Sequence, residues 1–338
     1  MENTFPKDFV FGTAKAAYQI EGAVNEDGRC PSIWDTFSHT PGATFAGDTG
    51  DVATDSYHRW REDLALLNDL GVDAYRFSIA MPRIMPTPNG IPNAKGLDFY
   101  ERIVDTLLEY GIKPVVTLYH WDLPQYLEDA GGWLNRVTSY ALGDYAAVVA
   151  KRLGDRVDTW TTLNEPWCAS YLSYGAKEQA PGLGLGPGAF PAVHHLNLAH
   201  GLMVQAVRGI VGDKSKYSVT LNMPFNRGDA DACHRLDLIA NRAFLDPMLR
   251  GRYPDELFAI TKGICDWSFI QPGDLENAHQ PFDVLALNYY STNRVAMSAR
   301  PQFPQSTGPS TSPAASDIDR PPTDGPPTHM GWTIAPQG

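Results

Sequence analysis

Residues 96–119 read GLDFYERIVDTLLEYGIKPVVTLY, and this stretch decides the fold. Its first part sets apolar side chains three and four residues apart, Ile103 and Leu107 among them, the period of a helix lying on a core. Its last part, Pro114–Tyr119, is a short run rich in β-branched and aromatic residues, which predicts a strand. Gly111 stands between them as a helix stop, where a residue with positive φ lets the chain turn into the strand. Helix, glycine and strand together make one step of a parallel sheet covered by helices.

The same step recurs in both directions. Strands are predicted at Phe9–Thr13, Ala74–Ile79, Val157–Leu163, Tyr217–Leu221 and Val284–Leu287, and helices at Tyr57–Leu70, Gly96–Tyr110, Thr138–Leu153 and Ala192–Val211. A fifth helix is predicted over Ala232–Leu245, closed by Pro247. Gly71, Gly154 and Gly212 repeat the role of Gly111. Strand ends about 40 to 70 residues apart suit an α/β (β/α)8 TIM barrel with elaborated loops better than a doubly wound sheet. A closed barrel needs eight strands and six are found, so the pattern predicts a single-domain fragment, 1–338, of a barrel truncated after about strand six. Two further units would add on the order of 100 residues. Pro301–Pro327 is rich in Pro, Ser and Thr, so residues 301–328 are predicted to be irregular, and Met330-Gly331-Trp332 reads as the lead-in to another element.

With 43% hydrophobic and 20% charged residues, the 338-residue chain has globular composition. Fifteen Tyr, fourteen Phe and eight Trp suffice for a large core and for rings lining a pocket. A net charge of −12 without a long basic run argues against nucleic-acid binding. The start MENTFPKDFVFG has no basic flank or apolar core of a secretory signal, and no segment nears 18 apolar residues, so no membrane role and a cytoplasmic location are predicted. Cys30, Cys168, Cys233 and Cys265 lie far apart with no CxxC pair, so reduced, mostly structural thiols are expected.

Barrel enzymes carry their chemistry where strands end. After the first strand come Tyr18-Gln19-Ile20-Glu21-Gly22, after the third His120-Trp121-Asp122-Leu123-Pro124, after the fourth Asn164-Glu165-Pro166, and after the sixth Asn288-Tyr289-Tyr290. A carboxyl at a strand end, preceded by an amide and followed by a strand-ending proline, suits Glu165 to general acid work, though a lone Glu is more often a loop ion pair. Gln19, His120, Asn164 and Asn288 are neutral donors and acceptors, and Trp121, Trp167 and Tyr290 offer flat apolar faces, a combination matched to a polyhydroxylated ring. Taken singly, His120 and Trp121 read as core residues; their shared place at strand ends argues for a site.

Phe11-Gly12-Thr13-Ala14, Tyr18-Gln19-Ile20-Glu21-Gly22, Ser32-Ile33-Trp34-Asp35, Tyr75-Arg76-Phe77-Ser78-Ile79, His120-Trp121-Asp122-Leu123-Pro124, Gly131-Gly132-Trp133, Thr162-Leu163-Asn164-Glu165-Pro166, Ala180-Pro181-Gly182 and Asn288-Tyr289-Tyr290 stand in order along the chain. This series resembles glycoside hydrolase family 1, the β-glucosidase type, from about residue 5 to about 334. The resemblance implies a retaining β-glucosidase that needs no cofactor or metal and acts on β-glucosides or short β-linked oligosaccharides through a glycosyl-enzyme intermediate. It implies that Glu165 is the acid/base, that Asn164 bonds the sugar 2-hydroxyl, and that Gln19 and His120 hold the 3- and 4-hydroxyls with Trp121 beside them. Tyr290, with Asn288 close by, and a buried Arg76 match groups that support the nucleophilic carboxylate.

Two departures from the family pattern stand out. Ala80-Met81-Pro82-Arg83 replaces the usual Ser-Trp-Ser before the arginine, and no Glu-Asn-Gly stretch is present. A retaining enzyme needs a second carboxylate about 5–5.5 Å from the first. Asp122 and Glu21 match structural positions of the family, so no nucleophile is assigned and the 338 residues by themselves are expected to be inactive. Competing readings are a non-catalytic sugar-binding module and a metal hydrolase using His120, Asp122 and Glu165. Glycone, aglycone and oligomeric state are not legible at this level.

Overall fold

The computed structural model describes residues 5–299, 307–336 and 338. They divide into two compact units, the first holding residues up to 127 with 144–163 and 206–218, the second holding 128–143, 164–205 and 219 onward.

In the first unit, strands β1 (Gly12–Ala14), β2 (Ala74–Ser78), β3 (Lys113–Tyr119) and β4 (Thr159–Asn164) pair in parallel in chain order, β4 passing only Asn164 to the second unit. The register sets Ala74 against Lys113 and Ser78 against Thr117. Every residue of β4 and four of the five in β2 are buried, the near-continuous burial of parallel strands covered on both faces. The stretch 96–119 forms as its pattern predicts. Asn93 caps the helix Ala94–Glu109 by accepting from the Lys95 amide, and Phe99, Tyr100, Ile103, Val104 and Leu107 make its buried face. Gly111 then takes φ +73°, and the Ile112 amide returns to the Leu107 carbonyl at 2.8 Å before β3 begins.

Three sequence expectations change in this unit. β1 starts at Gly12 and not at Phe9: the rings of Phe5, Phe9 and Phe11 pack on one another 4.5–5.1 Å apart and leave those residues exposed. β4 starts at Thr159 and not at Val157, whose carbonyl accepts from the Ser215 hydroxyl instead. Gly154 is not among the residues with positive φ. Close approach demands its glycine, because a Cβ there would lie 2.3 Å from a Val211 methyl and 2.4 Å from the Ala150 carbonyl oxygen.

Strand β5 (Lys216–Asn222) starts in the first unit after β4 and ends in the second, where β7 (Val284–Asn288) follows it in the sheet order. The second unit also builds a separate three-stranded sheet from β6 (Phe225–Gly228), β8 (Thr292–Met297) and β9 (Ile318–Asp319), with β6 parallel and β9 antiparallel to β8. β9 corrects the expectation that 301–328 forms no element; residues 301–306 lie outside the described residues. The physical reason is a staple: Arg235 donates two 2.8 Å bonds to the two oxygens of Asp317, which sets the next two residues against Met297 and Ala296. Met330-Gly331-Trp332 lies in a turn, with Gly331 at φ +77° and Pro327 bridged to Thr333. Pro247 does not close the fifth helix either. Helical backbone runs from Ala230 to Arg250, with a π-wound stretch at Leu238–Arg242, and ends at Gly251 with φ +64°. Burial of Phe244 and Met248 outweighs the one hydrogen bond that the proline cannot donate.

Candidate active site

Strand β4 delivers Asn164 and Glu165 to the second unit. Pro166 has no amide to continue a ladder, so the strand ends, and the chain winds into a π-helix over Cys168–Gly175. Between strand and helix Glu165 takes φ +49°, a left-handed conformation that costs a non-glycine residue of order 1 kcal/mol or more. Its backbone is held from both sides, its amide donating to the Thr220 carbonyl at 2.8 Å and its carbonyl accepting from the Ala169 amide at 3.2 Å.

The Glu165 side chain is buried, and each of its carboxyl oxygens has a donor. The Asn288 amide nitrogen at the end of β7 donates to Oε1 and also to Asn164 Oδ1 at 3.2 Å, so one NH2 group ties the amide and the carboxyl together. Cys168 Sγ donates to Oε2 at 3.0 Å and accepts from the Asn222 amide at 3.4 Å. Burial, with the Glu165 carboxylate beside it, pushes the Cys168 thiol well up, so it remains the protonated donor. Sequence reasoning missed this thiol and took it as structural. The signal was its place three residues after Glu165 on a helical path. Next to these residues, Trp167, Asn222, Asn288, Tyr290 and Trp332 line a cavity of about 350 Å³. Tyr290 is exposed, its ring 5.1 Å from that of Trp332.

The other candidate residues belong to the first unit. Gln19 is exposed on the short helix Ala17–Ile20. Arg76, expected to be buried, is half-buried at the middle of β2, and its Nε donates to the Thr117 hydroxyl at 2.9 Å, a bond available because β2 and β3 pair there in register. Trp121 takes φ +76°, the second left-handed non-glycine residue at a strand-end motif. Burial, helped by the positive charge of Arg76, pulls His120 down to about 3, so its ring is neutral at ordinary pH and its buried Nδ1 has no hydrogen-bond partner among the described residues. Asp122 shifts the opposite way, up to about 7, through burial and the nearby Glu21 charge, and neither carboxyl oxygen has a hydrogen-bond partner among the described residues. The neutral His120 ring matches the neutral hydrogen bonding that a sugar ring requires. Glu21 is buried in a 2.8 Å ion pair with Arg83 and accepts from the Tyr100 hydroxyl at 2.8 Å, a structural role in line with its family position. Among the described residues, no group of three or more His, Cys, Asp or Glu side chains is placed to hold a metal ion.

A buried carboxyl with an adjacent asparagine at the end of a parallel strand defines a candidate hydrolase site of the strand-end type. The family model for glycosyl hydrolase family 1 matches residues 1–338, and the chain belongs to that family. It is 70% identical to a bifunctional β-D-glucosidase/β-D-fucosidase of Bifidobacterium breve over 99% of its own length and 74% of the relative's. It is 45% identical to a β-glucosidase of Agrobacterium over 98% of its length and 71% of that protein. Among solved structures, a psychrophilic β-glucosidase from Micrococcus antarcticus superposes with a TM-score of 0.90 at 44% identity, over 98% of this chain and 73% of the other. A β-glucosidase from Thermotoga maritima in complex with cyclophellitol gives 0.88 at 41% identity, over 98% and 72%.

Proposed function

We propose that the chain carries the acid/base half of a retaining β-glucosidase, with Glu165 as the group that protonates the leaving glycosidic oxygen and then activates water. The observation that carries this reading is the buried Glu165 carboxyl tied through the Asn288 amide to Asn164. Holding the Asn164 oxygen orients its NH2 group, the donor suited to a sugar 2-hydroxyl, a contact that strengthens in the oxocarbenium-like transition state. Trp167 and Tyr290 at the neighbouring cavity give a sugar or its leaving group apolar faces. Gln19, His120 and Trp121 are assigned to the ring hydroxyls, and Arg76 and Tyr290 to support of the nucleophile. The name of the Bifidobacterium relative extends the proposed substrates to β-fucosides.

The whole chain is read as one catalytic domain, an amino-terminal part whose last two βα units would bring the nucleophile. No Glu-Asn-Gly stretch stands in the 338 residues, so they are proposed to be inactive alone. We also place the protein in the cytoplasm, a reading supported by its four free cysteines. Among the described residues, no helix is long and apolar enough to cross a membrane.

The test joins the chain to the carboxyl-terminal residues of the Bifidobacterium relative and follows hydrolysis of an aryl β-glucoside. The 338 residues alone are expected to show none, the chimera to turn over, and Glu165→Gln in the chimera to lose at least about 100-fold in kcat. Turnover by the 338 residues would overturn the missing-nucleophile reading. A chimera indifferent to Glu165→Gln would overturn the acid/base assignment.

A further inference from the structure

Cys168 opens the π-helix that follows Glu165 and is 5% exposed, its carbonyl accepting from the Ser173 hydroxyl at 3.1 Å. Its sulfur is engaged on both sides. The Asn222 amide at the end of β5 donates to Sγ at 3.4 Å, and Sγ lies 3.0 Å from Glu165 Oε2. An NH2 group only donates and an ionised carboxylate only accepts, so the thiol proton is directed at Oε2. The two carboxyl oxygens are thus served unequally, Oε1 by an amide N–H of Asn288 and Oε2 by an S–H, a weak donor.

A hydrogen bond strengthens when its acceptor becomes charged, by roughly a factor of two. When the glycosidic bond is cleaved, the nucleophile bonds to C1 and the C1–O bond breaks, its electron pair passing to the leaving oxygen, which takes the proton of Glu165. Glu165 becomes a carboxylate as this happens, and the S–H···Oε2 bond tightens with it. In the second step the order reverses. The carboxylate takes a proton from water, whose oxygen bonds to C1 as the bond to the nucleophile breaks and its electron pair returns to the nucleophile, and the thiol loses its charged acceptor. The thiol keeps its own proton throughout. We propose that Cys168 is a positioning residue for Glu165, its thiol fixing Oε2 and assisting cleavage of the glycosidic bond but not hydrolysis of the glycosyl-enzyme. The proposal rests on the acid/base reading of Glu165 and adds to it a residue outside the Asn164-Glu165-Pro166 motif.

The chimera with the carboxyl-terminal residues of the Bifidobacterium relative separates the two steps through the leaving group. Phenyl β-glucoside needs a proton to depart, whereas 2,4-dinitrophenyl β-glucoside departs without one, so that its kcat reports hydrolysis of the glycosyl-enzyme. Cys168→Val, which keeps the shape and loses the donor, should lower kcat/KM for phenyl β-glucoside at least about fivefold. With the dinitrophenyl substrate, kcat/KM and kcat should stay within about twofold, which also shows the fold to be intact. Cys168→Ser, a donor again, should recover most of the loss. In the 338-residue protein itself, infrared spectra should show one S–H stretch at lowered frequency, absent from Cys168→Val and raised in Glu165→Gln, whose neutral amide is a weaker acceptor. Equal loss on both substrates means a merely structural role and overturns the proposal, as does no recovery with serine or no lowered S–H band. No loss on phenyl β-glucoside in Glu165→Gln overturns the acid/base reading itself, whereas loss there beside an indifferent Cys168→Val overturns the proposal alone.

Discussion

Strands β4 and β7 are both short strand-forming runs closed by an asparagine, Thr-Trp-Thr-Thr-Leu-Asn and Val-Leu-Ala-Leu-Asn, but the threonine-rich β4 is buried at all six residues while the apolar β7 exposes Val284, Leu285 and Leu287. Their places in the sheet order account for this. β4 stands between β3 and β5, whereas β7 is last in the order among the described residues. The chemistry divides in the same way. The buried strand end carries the carboxyl, whose hydrogen bonds are strongest where water is excluded, and the exposed strand sends in only a neutral amide. A run of strand-forming residues therefore predicts a strand, while its neighbours decide whether that strand can shelter an ionisable group.

The largest expected effect tests the interior strand. Trp160 is fully buried in β4, and Trp160→Ala should cost about 3–5 kcal/mol by urea unfolding through the cavity it leaves; a loss under 1 kcal/mol would break the contrast. Next comes Asp122, in the loop after the other interior strand, β3. Its carboxyl is raised from 3.8 to about 7. As pH climbs from about 4 to about 7 the unfolded chain releases this proton while the folded chain keeps it, so stability drains away and the loss is complete above about 7. Asp122→Asn does not titrate and should gain on wild type over that window by a few kcal/mol on the order of 1.4 per unit, read from urea midpoints at pH 4 and pH 7. A constant difference would mean that Asp122 is ionised in the folded protein.

Asn288 joins the two regions. Asn288→Ala should cost about 1–3 kcal/mol, because a buried carboxyl oxygen and the Asn164 oxygen both lose their donor. A neutral result would mean that the exposed strand contributes nothing to the buried end. The smallest effect belongs to Leu287, which is 58% exposed in β7. Leu287→Ala should stay within about 0.5 kcal/mol in the same unfolding assay, and a cost above 2 kcal/mol would show β7 to be covered in solution.

Much of this was legible beforehand because it is local. Helix periodicity around Ile103 and Leu107, the positive φ at Gly71, Gly111 and Gly212, and the proline after Glu165 all express backbone and side-chain preferences that act over a few residues. What escaped reading acts between residues far apart in sequence. Gly154 is glycine because Val211 approaches it, Pro247 is tolerated because its helix buries Phe244 and Met248, and Ile318–Asp319 is a strand because Arg235 grips Asp317. The candidate site divides along the same line. Glu165 and Asn164 were visible as a strand-end motif, but the donors on the carboxyl, Asn288 from 123 residues away and the Cys168 thiol, were not paired with it.

The sequence by itself determined the alternation of helix and strand, the family and the residue types at each strand end, since these depend on local preference and on motifs kept in order. Only the tertiary structure decided which strand is sheltered and which of two buried acids, Glu165 or Asp122, has hydrogen-bond donors among the described residues. Those outcomes depend on burial and on distances across the sheet, and packing sets both.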